Sequence, residues 1–177
     1  SGRPERSEIP EKRNHVNRFR AEHSQFELQN LTGGNFSAAQ RMVGEWYRAR
    51  MQADPTGDYM MESIAMSRAF RHYEGLQMES AVLVENGEIL AVTMGSRLWS
   101  DTFDIHFEKA REDVDGAYAA VNCEFARYLR LKYPNLRYLN REDDVGLAGL
   151  RKAKLSYNPH HMVEKSWAYL VEDFHGD

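Results

Sequence analysis

Apolar positions change their spacing several times along this chain, and each change marks a different kind of element. Residues 26–31, Phe-Glu-Leu-Gln-Asn-Leu, alternate and predict a first strand. Thr32-Gly33-Gly34-Asn35 interrupts it, and Ser37 is a suitable N-cap for the helix that follows. Met42, Val43, Trp46, Tyr47 and Met51 recur at helical spacing until Asp54-Pro55. A second helix is predicted over about 59–73, with Met61, Ile64, Ala65, Ala69 and Phe70 as its inner face. The period then drops to two. Residues 80–84 and 89–95 form strands joined by Glu85-Asn86-Gly87-Glu88, whose Asn-Gly pair suits a type I′ hairpin turn. A third strand over 102–109 sets Phe103, Ile105 and Phe107 against Asp104, His106 and Glu108.

Beyond this meander, helix and strand alternate. Asp115-Gly116 opens a helix carrying Tyr118, Val121, Phe125, Tyr128 and Leu129, which Tyr133-Pro134 closes. Residues 136–139 read as a short buried strand, and 145–156 as a helix with Leu147, Leu150 and Leu155 inward. Residues 162–171 read as a last strand. The pattern predicts an α/β (α+β) fold, a mixed sheet flanked by helices over 26–174. Residues 1–25 read as a linker or arm from a preceding domain, because 1–12 carry two prolines and alternating charges without a period.

Composition narrows the function classes only slightly. The chain has 177 residues, 42% apolar and 28% charged, which suits one ordinary globular domain. A formal charge of −4 gives no overall basic field toward DNA. Cys123 is the sole cysteine, so no internal disulfide can form. No apolar run approaches a membrane span, the start is too polar for a secretory signal, and a cytoplasmic location is expected.

The densest polar block is Asn140-Arg141-Glu142-Asp143-Asp144, directly after the short strand. Ligand-contacting groups gather at such strand ends, although Asp143 and Asp144 could equally cap the next helix. Arg151, Lys152 and Lys154 follow in that helix's last turns. They suit either the helix dipole or the phosphates of a cofactor or tRNA end. Val114-Asp115-Gly116-Ala117-Tyr118 forms a third candidate, where a helix N-terminus could hold a pyrophosphate. By the period of two, His106 and Glu108 share one face of their strand and Phe107 and Lys109 the other. That pair could deprotonate an amine, or be a satisfied histidine beside a surface carboxylate. Tyr157 could protonate a leaving group or simply pack, and Cys123 reads as core. Residues 12–20, KRNHVNRFR, form a basic stretch read as a solvated arm.

Residues 138–157, YLNREDDVGLAGLRKAKLSY, resemble the hallmark segment of the phosphatidylglycerol lysyltransferase C-terminal-domain-like family. Phe107-Glu108-Lys109-Ala110, Gly116-Ala117-Tyr118, Asn122-Cys123-Glu124-Phe125-Ala126 and Met162-Val163-Glu164-Lys165 are similar to it in the same order. Residues 12–19 resemble the segment joining that family's two halves, so the chain resembles a second half. The resemblance implies a GNAT acyltransferase fold and transfer of an acyl or aminoacyl group to an amine or hydroxyl acceptor. On the acyltransferase reading, Glu108, His106 and Tyr157 are the candidate catalytic groups. Lys109, Arg141, Glu142 and Asp143 would meet substrate. Gly116, Ala117, Tyr118, Asn140, Arg151, Lys152 and Lys154 would hold the donor, acyl-CoA or aminoacyl-tRNA. The usual pyrophosphate signature of acyl-CoA users is reduced here to Gly116-Ala117, with no arginine at the family spacing, a departure that counts against coenzyme A. No metal is expected. The acceptor is expected to be a small molecule, and the partner a preceding GNAT-like half or a second copy. A silent binding module is the alternative reading.

Overall fold

The computed structural model describes residues 9–142, 148–164 and 166. Its elements in chain order are α1 (Ile9–Glu22), β1 (Glu27–Asn30), α2 (Phe36–Ala53), α3 (Met60–His72), β2 (Glu79–Glu85) and β3 (Glu88–Arg97). They continue with β4 (Thr102–Ala110), α4 (Ala117–Lys132), β5 (Tyr138–Asn140) and α5 (Ala148–Leu155). The five strands form one sheet in the order β1-β2-β3-β4-β5. The first four pair antiparallel and β5 runs parallel to β4. Among the described residues no helix is long and apolar enough to cross a membrane.

The hairpin forms where the Asn-Gly pair places it. Asn86 and Gly87 both have positive φ, at 52° and 81°, as that turn requires. Val82, Val84, Ile89, Val92 and Met94 face α2 and α3, meeting Met42, Val43, Tyr47, Met66 and Phe70. On the other side α4 lays Val121, Phe125 and Leu129 against Leu83, Ala81, Phe103 and Ile105. Full burial of such a side chain contributes about 1.5–3 kcal/mol, so these two layers dominate the stability.

Several expectations need correcting. Of the residues read as a linker or arm, 1–8 lie outside the described residues and 9–22 are helical. In this helix, α1, Val16 and Phe19 are buried, Phe19 within the α4-side core. Two arginines of the basic stretch are paired, Arg18 with Asp115 and Arg20 with Glu124. Helix α2 starts one residue before Ser37, and Asn35 holds the cap position; its side chain instead accepts from the Thr32 N–H and donates to the Asn30 carbonyl. In α3 Ala69 and Phe70 are buried as expected, joined by Met66, while Met61, Ile64 and Ala65 are exposed. Leu150 and Leu155 of α5 are also exposed, and Leu147 lies outside the described residues. Residues 162–164 are not in a strand, and the remainder of the expected last strand, apart from 166, lies outside the described residues.

One polar cluster ties α4 to the sheet. Glu79, at the start of β2, accepts hydrogen bonds from Tyr128 at 3.1 Å, Lys132 at 2.8 Å and Tyr133. Burial alone would raise its pKa, but the donors outweigh burial and hold it below its ordinary value near 4.5. A carboxylate lowered on folding adds stability above its unfolded pKa, and that stability is lost as pH falls through the folded value. Glu79→Gln is therefore expected to cost about 1–3 kcal/mol at neutral pH. Urea midpoints should show the gap from wild type closing as the pH falls below about 4.

Candidate functional site

Strand β4 brings most of the candidate chemistry together, and a bulge decides how. Met94 of β3 pairs with Phe107, yet the next residue, Gly95, pairs with Ile105, so His106 is the extra residue. The strands approach closely there: a Cβ on Gly95 would overlap the Asp104 carbonyl and the Phe103 ring. The period of two breaks at that point. Phe103 and Ile105 pack toward α4, whereas Phe107 joins the core under α2 and α3. His106 and Glu108 therefore do not act as a pair on one face. His106 Nε2 lies 2.8 Å from Ser96 Oγ, and its Nδ1 lies 3.5 Å from Asp104 and 3.4 Å from Glu142.

Glu108 turns toward α4. Its side chain is 6% exposed and accepts from Arg141 Nη2 at 2.6 Å and from Asn122 Nδ2 at 3.2 Å. Arg141 stacks on the Tyr157 ring, its guanidinium carbon 4.4 Å from the ring centre. Burial would lower the Arg141 pKa, but the Glu108 charge and Tyr157 outweigh it and the pKa is raised, so the guanidinium stays charged. Arg141 Nη1 is buried and makes no hydrogen bond among the described residues. Thr93 Oγ1, on the β3 residue paired with Glu108, is buried and likewise unbonded among the described residues. Two unsatisfied polar atoms beside one carboxylate are unusual for a purely structural ion pair. Lys154 reaches back from α5 to the carbonyl oxygens of Arg141 and Glu142, at 2.5 and 2.7 Å, and fixes the loop after β5.

The structure thus gathers Glu108, Arg141, Tyr157 and Lys154 on one side, with His106 and Glu142 beside them. Asn140 ends β5 opposite Asp104. Lys152 and Arg151 are exposed on α5, and Asp143 lies outside the described residues. Lys109 goes elsewhere. It is buried toward α2, bonded to Glu62 at 2.8 Å and seated 4.2 Å over the Trp46 ring. A cleft of about 620 Å³ between α2, the β2–β3 turn and Arg111–Asp113 is lined by neither Glu108, Arg141 nor Tyr157. Sequence reasoning missed Asn122, Ser96 and Asp104. Asn122 is the one with a signal, because its helical spacing sets it on the sheet-facing side of α4 next to Val121 and Phe125.

The Gly116 loop packs against α1. Gly116 caps α4 with φ 80°, but the space a Cβ would enter is filled by the His15 carbonyl at 3.0 Å and Phe19 Cβ at 3.1 Å. The Ala117 N–H is bonded to the Val114 carbonyl, and Ala117 itself is buried. Tyr118 packs against the same core, where burial pushes its hydroxyl pKa up. Glu112, Asp113 and Asp115 beside the loop are each paired with an arginine, Arg50, Arg111 and Arg18.

Comparisons with known proteins bear on the fold and the family. A protein of unknown function from Bacteroides thetaiotaomicron is 36% identical over 89% of this chain, with a TM-score of 0.80. This chain spans 52% of that protein's length. A possible acetyltransferase from Clostridium difficile matches over 83% of this chain and 98% of its own, with a TM-score of 0.60 at 11% identity. AAC(6')-Iy, solved with the bisubstrate analogue CoA-S-monomethyl-acetylneamine, matches over 84% of this chain and 99% of its own, with a TM-score of 0.52 at 10% identity. At such identities the likeness shows the acetyltransferase fold alone. A search of curated proteins finds no significant match. Residues 7–169 match the model of the family described as phosphatidylglycerol lysyltransferase, C-terminal, and the chain belongs to that family.

Proposed function

We propose that this domain transfers an acyl group, in the aminoacyl class, from an activated ester to an amine or hydroxyl acceptor. The observation that carries this reading is the buried Glu108–Arg141 pair, with Arg141 Nη1 left unbonded among the described residues beside Tyr157. In the proposed reaction Glu108 takes the proton of the acceptor as its nitrogen or oxygen bonds to the donor carbonyl carbon. Arg141 Nη1 faces the charge that develops on the carbonyl oxygen, and a positioned donor of this kind is worth about 10²–10³ in rate. The ester bond then breaks, and the Tyr157 hydroxyl supplies the proton of the leaving oxygen. Asn122 holds the second oxygen of Glu108, which sets the direction of the first.

The packing of Gly116 against α1 favours aminoacyl-tRNA over acyl-CoA as the donor. One observation favours a silent binding module instead: both oxygens of Glu108 already have partners. Thermal unfolding with charged tRNA, uncharged tRNA, coenzyme A and acetyl-CoA separates these readings. A ligand at about a hundred times its dissociation constant adds about 2.7 kcal/mol. In a domain of this size that should raise the midpoint by roughly 5–10 °C. The proposal expects the rise with charged tRNA, together with turnover of its ester. A rise with acetyl-CoA and acyl transfer from it would replace the donor. Binding without turnover of any ester would leave the module reading.

A further inference from the structure

Beside the acyl-transfer site, three side chains converge in a way that the ion pair does not use. In the parallel pairing of β4 with β5, Asp104 lies opposite Asn140. His106 and Glu142 each follow two residues later along their segments, and His106 Nδ1 lies 3.4 Å from Glu142 Oε1. Glu142 adopts a left-handed φ of 56°, rare for a side chain of its kind. One ligand atom from each of Asp104, His106 and Glu142 falls within 4.8 Å of the others.

We propose that these three residues form a binding site for a divalent transition cation of the zinc type. The spacing is the first reason. His106 Nδ1 stands 3.5 Å from Asp104 Oδ2 and 3.4 Å from Glu142 Oε1. Ordinary hydrogen bonds of this kind centre nearer about 2.9 Å, and one Nδ1–H cannot serve both oxygens well. Ligands about 2.0–2.2 Å from a tetrahedral ion lie roughly 3.3–3.5 Å from one another, which matches. The tautomer is the second. Ser96 Oγ lies 2.8 Å from Nε2, and with Nε2–H donating to it the Nδ1 lone pair faces the two carboxylates. A metal-bound histidine is typically oriented through its other nitrogen in this way. Composition is the third, since one imidazole and two carboxylates suit zinc and its neighbours better than a purely oxygen-seeking ion. Exposure is the last. The Asp104 side chain is 11% exposed, His106 30% and Glu142 40%, which shields the ion while keeping one position open for water or a substrate oxygen. Among the described residues, Arg141 is held by Glu108, and Lys154 by the carbonyl oxygens of Arg141 and Glu142.

Binding is measured without turnover, so this site stands or falls apart from the acyl-transfer reading. Tag-free protein is stripped with chelator and titrated by calorimetry with zinc chloride, and with cobalt chloride followed by visible absorption. One cation per chain is expected, with the strong visible bands of tetrahedral cobalt. Asp104→Asn and His106→Gln should each weaken binding by roughly a hundredfold or more, and Ser96→Ala by about tenfold. Glu142→Gln, on the exposed loop, gives a ligand change that leaves the strands untouched. His160 and His161 lie side by side on the surface and could bind zinc on their own, so His160→Ala with His161→Ala must bind as wild type. Thermal unfolding in chelator shows that each variant is folded. Absence of saturable binding overturns the proposal. So does binding that survives Asp104→Asn and Glu142→Gln, or that disappears only with His160 and His161.

Discussion

Arg141→Lys is expected to lower turnover by about 10²–10³-fold while the domain keeps most of its stability. Lysine keeps the positive charge beside Glu108 but loses the planar fork, so it cannot hold Glu108 through one nitrogen and present a second to the substrate. Arg141→Ala is a poorer test. It strips the charge partner from a carboxylate that is 6% exposed, and leaving such a charge uncompensated costs about 3–5 kcal/mol. Loss of activity would then be confounded with loss of fold. Glu108→Gln completes the comparison. Glutamine keeps an oxygen for Arg141 but cannot take the acceptor's proton, and removal of a general base costs about 10²–10⁴ in rate. The two variants should be strongly non-additive, because both groups act on one transition state. Steady-state rates with a charged-tRNA donor, read beside unfolding midpoints, decide the matter. Wild-type turnover in Arg141→Lys would remove the guanidinium from the chemistry and leave a structural ion pair.

The residues that the sequence assigned to elements with confidence were those whose local signal and tertiary partners agree. Met42, Val43 and Tyr47 face inward from α2 because their helical spacing matches the sheet they meet, and Asn86-Gly87 turns the chain by its own backbone preference. His106 shows the opposite case. Nothing local in Phe103-Asp104-Ile105-His106-Phe107 announces a bulge. The bulge arises from the pairing with β3, where Gly95 lets the strands close up, and it moves Glu108 and His106 to different partners. The inner face of α3 was legible only in its second half. Met61 and Ile64 belong to an apolar stripe that the sequence cannot tell from a core face, yet Met66 joins the expected Ala69 and Phe70 in contact with α2 and the sheet. At the site, the polar block after β5 was legible as a place where ligands gather. Its counterparts on β4, β3 and α4 were not, because Asp104, Ser96, Thr93 and Asn122 are separated from it by up to about fifty positions and meet it only through the β4–β5 pairing.

Phe19→Ala should be among the most destabilising single changes outside the sheet, at about 3–5 kcal/mol. Phe19 is fully buried, stacks on His23 at 4.5 Å and meets Phe26 edge-on at 5.0 Å. It also backs Gly116, so its removal opens a cavity directly under the start of α4. For a domain of this size the loss corresponds to a fall in melting temperature of roughly 6–20 °C. A solvated arm would behave differently, since substitution in one changes stability by no more than about 0.5 kcal/mol. The sequence pattern favours the arm because, among the described side chains of α1, Val16 and Phe19 alone are buried, a narrow stripe within a run of charge. The structure gives those charges partners: Arg18 holds Asp115 in the loop before α4, and Arg20 holds Glu124 on α4 itself. Arg18→Ala should therefore be mild, because an exposed pair contributes about 0–1 kcal/mol. The pairing of a large effect at Phe19 with a small one at Arg18 would show that α1 is held by its apolar face and steered by its charges. Near-equal small effects at both positions would return α1 to the status of an arm, and with it reopen the Gly116 loop as a place for a donor's phosphates.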